Sequence, residues 1–150
     1  AAHAETNADV SAKAAAAHKA GLGAIICIGE TQEERDTGKH FDVAKAQIAG
    51  SLPDGAAAAN TVIAYEPVWA IGSGRTPSPE NVQEMHAFIR SQLATRLDGE
   101  EADGIRILYG GSLLPTNAGE LLALPDIDGG LIGGASLVAD DFWSVAESCP

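Results

Sequence analysis

Short, continuous runs of apolar residues recur along the chain, and segments with helical spacing separate them. The four runs lie at residues 24–28, 61–65, 105–109 and 130–133. Unbroken apolar runs of this length are typical of strands that are buried on both faces, as in a parallel sheet. We therefore predict four strands, of which the last is very short.

The segments between these runs carry helix signals. Residues 9–20 are alanine-rich and end at Gly21, which is suited to close a helix. Ser78 and Pro79 supply an N-cap and a first helical residue for a helix with apolar positions three or four apart. Further helices are predicted from the Thr31–Glu34 capping box to Ile48 with a break at Gly38, from Thr116 to Leu122, and from Asp140 onward.

The alternation of strands and helices predicts an α/β protein with a parallel sheet. A doubly wound sheet and a (β/α)₈ barrel share this pattern, and periodicity alone leaves both open. A length of 150 residues is enough for one domain with its own hydrophobic core, so residues 1–150 are expected to contain no second domain.

Charge and cysteine content exclude several function classes. Nine basic and 21 acidic residues give a net charge of −12, which argues against nucleic acid and against an anionic membrane surface. A small anionic substrate stays possible, because a few backbone N–H groups can hold a phosphate. Cys27 and Cys149 suggest no metal spacing and are interpreted as free thiols in a reducing cytoplasm. No apolar run reaches the roughly 20 residues of a membrane span.

The residues that follow the strands are candidates for chemistry, because parallel α/β folds place their sites there. Glu66-Pro67 follows the second strand and opens a loop that is rich in glycine and closes at Pro77. A stiff-ended loop with apolar residues in its middle suits a lid. Taken alone, Glu66 could equally be a solvated carboxylate, and Glu30, which follows the first strand, is interpreted as one.

Glycine and small hydroxyl residues follow the last two strands, as Gly110-Gly111-Ser112 and Gly134-Ala135-Ser136. Such backbones can bring N–H groups close to an oxyanion, although a tight turn explains each motif equally well. A dinucleotide fingerprint is unsupported, since Pro77 stands where its third glycine would be. The four histidines have no acid and nucleophile nearby, and are interpreted as structural or surface residues.

Several segments together resemble one family. Residues 64–74 (Ala-Tyr-Glu-Pro-Val-Trp-Ala-Ile-Gly-Ser-Gly) resemble the catalytic strand and mobile loop of triosephosphate isomerases. Residues 109–112 and 128–137 resemble the family's two phosphate loops, and residues 27–30 also fit. The resemblance is collinear over essentially the whole chain. It implies a (β/α)₈ barrel, of which this chain supplies about the C-terminal half.

The resemblance also implies an activity and roles for named residues. It implies that dihydroxyacetone phosphate and glyceraldehyde 3-phosphate interconvert without a cofactor or metal, with Glu66 as the catalytic base. Backbone N–H groups of four residues are expected to hold the phosphate, namely Gly72, Ser112, Gly133 and Gly134. Tyr109 and Ser112 are expected to latch the closed loop. The substrate partner is a phosphorylated triose, and full-length members are expected to be cytoplasmic homodimers.

The resemblance places the family's N-terminal lysine and electrophilic histidine in a half that this chain lacks. Four strands would leave open edges, so the isolated chain is expected to be marginally stable, to associate, or to need the other half. It is also expected to be poorly active alone. Two interpretations stay open: an isomerase represented by part of its chain, or a silent phosphate-binding half-barrel that serves as a structural partner. Another phosphate-binding barrel would not explain residues 66–74.

Overall fold

The computed structural model describes residues 4–71 and 75–150, and strands alternate with helices throughout. The strands are β1 (Ala24–Ile28), β2 (Thr61–Tyr65), β3 (Arg106–Tyr109) and β4 (Gly129–Gly130). The helices are α1 (Asn7–Lys19), α2 (Gln32–Asp36), α3 (His40–Ser51), α4 (Pro79–Ala94), α5 (Gly99–Gly104), α6 (Ala118–Leu122) and α7 (Ala139–Glu147), with a 3₁₀ helix over Gly134–Leu137.

The strands are parallel and lie side by side in chain order, β1-β2-β3-β4. In this register Ile26 faces Ile63, and Ile63 faces Ile107. A doubly wound sheet would reverse its strand order at a switch point, whereas a barrel adds each strand next to the previous one. The sequential order therefore decides between the two architectures in favour of the barrel type.

Helices cover one face of this sheet and leave the other face open. Ile26 and Ile28 of β1 are buried in the core, but Ile25 between them is 53% exposed. The prediction that β1 is buried on both faces is therefore wrong for this chain. In a closed barrel the second face is covered by the strands opposite, and four strands cannot enclose it.

Several predicted helix boundaries are confirmed by their capping contacts. The Thr31 hydroxyl accepts the N–H of Glu34, while the Glu34 carboxylate accepts the N–H of Thr31, as a capping box requires. The Ser78 hydroxyl accepts a first-turn N–H of α4, and Pro79 is the first helical residue. Gly38 has φ +71°, a left-handed conformation that explains the break before α3.

Two elements differ from the sequence-based expectation. Helix α5 was not predicted, because it is six residues long and begins and ends in glycine, although Asp98 caps it by accepting an N–H. The last strand was predicted over residues 130–133 but spans Gly129–Gly130. Among the described strands β4 pairs with β3 alone, and the chain turns into the 3₁₀ helix soon afterwards.

Candidate active site

Glu66 lies at the end of β2, in a row between two glycines. Its N–H donates to the carbonyl of Ile28 at 2.7 Å, and the N–H of Gly110 donates to the carbonyl of Tyr65 at 2.8 Å. These bonds continue the strand register by one residue, so that Gly29, Glu66 and Gly110 stand side by side across the sheet.

Both glycines are in contact with Glu66 at positions where a side chain would collide. A Cβ on Gly110 would lie 2.6 Å from Cγ of Glu66, and a Cβ on Gly29 would lie 1.7 Å from the Glu66 carbonyl oxygen. Real Cβ atoms do not approach other atoms so closely. The missing side chain of Gly110 therefore leaves the space that the Glu66 side chain occupies, and the missing side chain of Gly29 leaves space for the Glu66 backbone.

Cys27 of β1 lies on the same open face of the sheet as Glu66, and the charge of Glu66 acts on its thiol. Burial raises the pKa of its thiol to about 11, and the charge of Glu66 adds to this shift. The thiol is therefore protonated at neutral pH. Cys27 and Cys149 are both free thiols. The part of the chain that the structure describes contains no group of acidic, histidine and cysteine side chains able to hold a metal ion.

A cavity of about 270 Å³ is lined in part by Gly110, the neighbour of Glu66 on β3. Its lining joins the two glycine-rich loops with Ile71 of the loop after β2, and it consists of Ile71, Gly110, Gly111, Ser112, Leu113, Leu114, Gly133, Gly134 and Ala135. Three of the four predicted phosphate-binding residues thus line one cavity. The fourth, Gly72, lies outside the described residues.

The cavity presents backbone donors rather than charged side chains. Within residues 4–71 and 75–150, the N–H groups of Ser112, Gly133 and Gly134 donate to no protein acceptor. Such N–H groups can bind an anion by hydrogen bonding without a cationic side chain. This arrangement explains how a protein with a net charge of −12 could hold a phosphate.

The loop that follows Glu66 is fixed to the scaffold at its start. The Ser112 hydroxyl donates to the carbonyl of Ala70 at 3.3 Å, and the indole N–H of Trp69 donates to the Glu30 carboxylate at 2.9 Å. Ser112 therefore contacts the loop, and its role as a latch of the closed loop stays a prediction. The Tyr109 hydroxyl is buried against Gly111 and has no partner within the described part of the chain, so its latch role stays a prediction.

The interpretation of Glu30 as a solvated carboxylate is wrong. The residue is only 1% exposed, and its Oε1 accepts both the Tyr65 hydroxyl at 3.1 Å and the Trp69 indole. Arg35 lies 3.6 Å from the same oxygen and supplies the compensating charge. Glu30 therefore anchors the first part of the loop to β2 and to α2.

His86 is a buried core residue of α4. Its Nδ1 donates to the carbonyl of Asp126 at 3.1 Å, and its ring packs edge-on against Tyr65. Burial lowers the pKa of the imidazole to about 4, so the ring is neutral at physiological pH. This agrees with a structural role. His3 lies outside the described residues.

Sequence reasoning found Glu66 and the cavity loops but missed the residues that shape the site. Gly110 was noted only as part of a glycine-rich motif, and Cys27 and Gly29 were given no role beside Glu66. The available signal was the strand register, which places all three beside β2.

Comparison with known proteins agrees with this geometry. The family model of triosephosphate isomerase matches residues 1–149. The chain belongs to the triosephosphate isomerase family. Triosephosphate isomerases from Afipia carboxidovorans and Rhodopseudomonas palustris are each 58% identical to it over 148 residues, which cover 99% of this chain.

A crystal structure of triosephosphate isomerase from Bartonella henselae superposes with a TM-score of 0.90 at 49% identity, and the match covers 97% of this chain. This match confirms that the fold is part of a (β/α)₈ barrel. The chain spans only 58–59% of the length of these three triosephosphate isomerases.

Proposed function

We propose that the chain carries the base and the phosphate-binding side of a triosephosphate isomerase active site. The observation that supports this most strongly is the position of Gly110, which contacts the Glu66 side chain and also lines the cavity with the free N–H groups. A triose phosphate is short enough for its phosphate to occupy the cavity while a carbon next to its carbonyl lies beside Glu66.

In this proposal the Glu66 carboxylate removes a proton from the carbon next to the substrate carbonyl. The product is an enediolate, and the same carboxyl group returns the proton to the neighbouring carbon. A carboxylate suits this task because it must both accept and give back the proton. The reaction requires no cofactor.

Ser112, Gly133 and Gly134 bind the phosphate through their N–H groups, and Gly72 adds a donor from the loop. Phosphate binding then favours the loop conformation that covers the site. A closed loop excludes water and protects the enediolate from losing its phosphate. The bonds of Ser112 to Ala70 and of Trp69 to Glu30 hold the start of the loop during this movement.

The described residues that line the cavity include neither a lysine nor a histidine. A cation and an electrophile that polarise the substrate carbonyl would have to come from a complementary segment. We therefore propose that the isolated chain is poorly active, since a base and phosphate donors lower only part of the barrier. The complete protein is proposed to be a homodimer, as expected from the family resemblance.

A second candidate is a catalytically silent half-barrel that acts as a structural partner. It is favoured by large apolar side chains that are exposed, among them Ile25 on the open face of the sheet and Leu137 and Trp143 near the C-terminus. Such groups are normally covered by another segment. Both candidate functions require a complementary segment that completes the barrel. They differ in whether the completed protein uses Glu66 to convert substrate.

A chimera tests the choice. The chimera joins the segment of the Bartonella henselae protein that does not align with this chain to the N-terminal side of Ala1. We call this fusion the assembled protein. We expect it to interconvert the two triose phosphates, and Glu66→Gln to lower kcat at least about 1,000-fold. Glu33→Gln, an exposed carboxylate on α2, is the matched control. Phosphate binding without turnover would favour the structural partner.

A further inference from the structure

Gln47 of α3 holds the strand end on which Glu66 rests. Its side-chain amide donates to the carbonyl of Gly29 at 3.0 Å, and its side-chain oxygen accepts the N–H of Gly29 at 2.8 Å. Both bonds are partly buried and join residues 18 positions apart. One side chain thus satisfies the same pair of backbone groups that a neighbouring strand would satisfy.

Gly29 in turn is packed directly against the peptide that joins Glu66 to Pro67. A Cβ on Gly29 would lie 1.7 Å from the Glu66 carbonyl oxygen and 3.4 Å from the nitrogen of Pro67. The backbone on both sides of Gly29 is bonded to the same segment, since Ile28 accepts from Glu66 and Glu30 accepts from Val68. A displacement of Gly29 would therefore displace the base and the beginning of the loop together.

We propose that Gln47 is a positioning residue for Glu66, and that it acts by clamping both polar groups of the Gly29 peptide backbone. The inference rests on the proposed isomerase function, in which Glu66 must reach the same substrate carbon in every catalytic cycle. Small displacements of a base reduce catalysis strongly, because proton transfer requires a donor–acceptor separation of about 3 Å.

A purely structural role predicts a different outcome. If Gln47 only satisfies two backbone groups, its loss lowers stability and leaves the chemistry of the folded protein unchanged. Gln83 of α4 provides the comparison, since its side chain also makes two hydrogen bonds with one residue: it donates to the Asp126 carboxylate at 2.5 Å and accepts the Asp126 N–H at 3.3 Å. This contact lies before β4, away from Glu66.

The test compares Gln47→Met with Gln83→Met in the assembled protein. Methionine keeps the length of the side chain and removes both hydrogen bonds. We expect Gln47→Met to lower kcat about ten-fold or more with KM changed less than about two-fold, and Gln83→Met to leave both constants within about two-fold. Gln47→Glu, which retains an acceptor for the Gly29 N–H, should recover part of the loss.

A second readout does not depend on turnover. The ¹³C signal of the Glu66 carboxyl group, assigned by its loss in Glu66→Gln, should shift in Gln47→Met and stay in place in Gln83→Met. An unchanged signal together with an unchanged kcat would overturn the positioning role. Failure of the proposed function has a different signature, namely no dependence of turnover on Glu66 while the Glu66 signal still responds to Gln47→Met.

Discussion

A Cβ atom on Gly110 would lie 2.6 Å from Cγ of Glu66, so the proposed base occupies space that any other residue at position 110 would fill. The backbone of Glu66 has little room to move away from such a side chain, because Gly29 lies against its carbonyl group on the other side. The Glu66 carboxylate itself would therefore have to move. The position of the carboxylate is thus set by its glycine neighbours as much as by its own strand.

Gly110→Ala is therefore expected to lower kcat of the assembled protein by at least about ten-fold, which corresponds to about 1.4 kcal/mol in the barrier. The extra methyl group displaces the Glu66 side chain from the cavity edge. Gly119→Ala is the control, because a Cβ at Gly119 of α6 meets no atom within 4 Å. Equal steady-state rates in the two variants would contradict the crowding argument.

Glu30→Gln is expected to destabilise the assembled protein by about 1–3 kcal/mol, because it removes the negative charge that faces Arg35 in a buried position. The same change weakens the bond to the Trp69 indole, so the Trp69 fluorescence should shift as well. The chain contains two tryptophans, so the fluorescence is compared in a Trp143→Phe variant, which lacks the signal of the second one. Urea unfolding followed by fluorescence measures both effects, and Glu33→Gln should show neither.

Asp128→Ala is expected to destabilise the fold by about 1–2 kcal/mol. Its Oδ2 accepts from the Arg90 guanidinium at 2.5 Å and from the N–H of Ile107 at 2.7 Å, so one carboxylate joins α4, β3 and the segment before β4. The control is Asp54→Ala, an exposed aspartate in a turn. Thermal unfolding of both variants measures the effect. Equal unfolding midpoints would show that the Asp128 contacts do not stabilise the fold.

Stability of the assembled protein is expected to fall as the pH drops from about 6.5 towards 4, in part through His86. Burial lowers the pKa of its folded-state imidazole to about 4, whereas the unfolded chain takes up the proton near pH 6.5. The unfolded state therefore binds more protons in this window, and the stability present above pH 6.5 is lost by up to about 3 kcal/mol.

Unfolding free energies at pH 7, 5.5 and 4.5 measure this loss. His86→Phe should flatten the pH dependence even though it is less stable at pH 7, because phenylalanine cannot donate to Asp126. His18→Gln, at a partly exposed position, should leave the slope unchanged. A slope that is identical in the His86 variant and the parent would rule out His86 as its source.

The isolated 15.3 kDa chain is expected to associate in solution. Leu137 of the 3₁₀ helix is 87% exposed and Trp143 of α7 is 64% exposed, and both are large apolar side chains. Sedimentation should give a mass above that of the monomer, and changing both residues to serine should lower it. A parent chain that sediments as a monomer and unfolds cooperatively would contradict this expectation.

Local sequence signals predicted most elements of the fold because their causes lie within a few residues of each other. The Thr31–Glu34 capping box and the Ser78-Pro79 start are examples, and both were confirmed. Helix α5 was missed because its glycine ends give no periodic signal. The predicted end of β4 was wrong because the strand ends where its pairing with β3 ends. The apolar residues beyond Gly130 do not reveal where that pairing stops.

The candidate site was predictable only where a motif carries the chemistry, as at Glu66. The burial of Glu30 depends on Tyr65, Trp69 and Arg35, which come from three different segments. The roles of Gly29 and Gly110 depend on the register between strands, which apolar runs do not reveal.

The row of Gly29, Glu66 and Gly110 also bears on attempts to transplant this base into other barrels. A designer who copies the glutamate alone would place it between two ordinary strands, whose side chains would fill the space it needs. The unit that has to be grafted is three residues wide and crosses three strands. Scaffold searches should therefore select for adjacent strand ends that tolerate glycine before they select for a place to put a carboxylate.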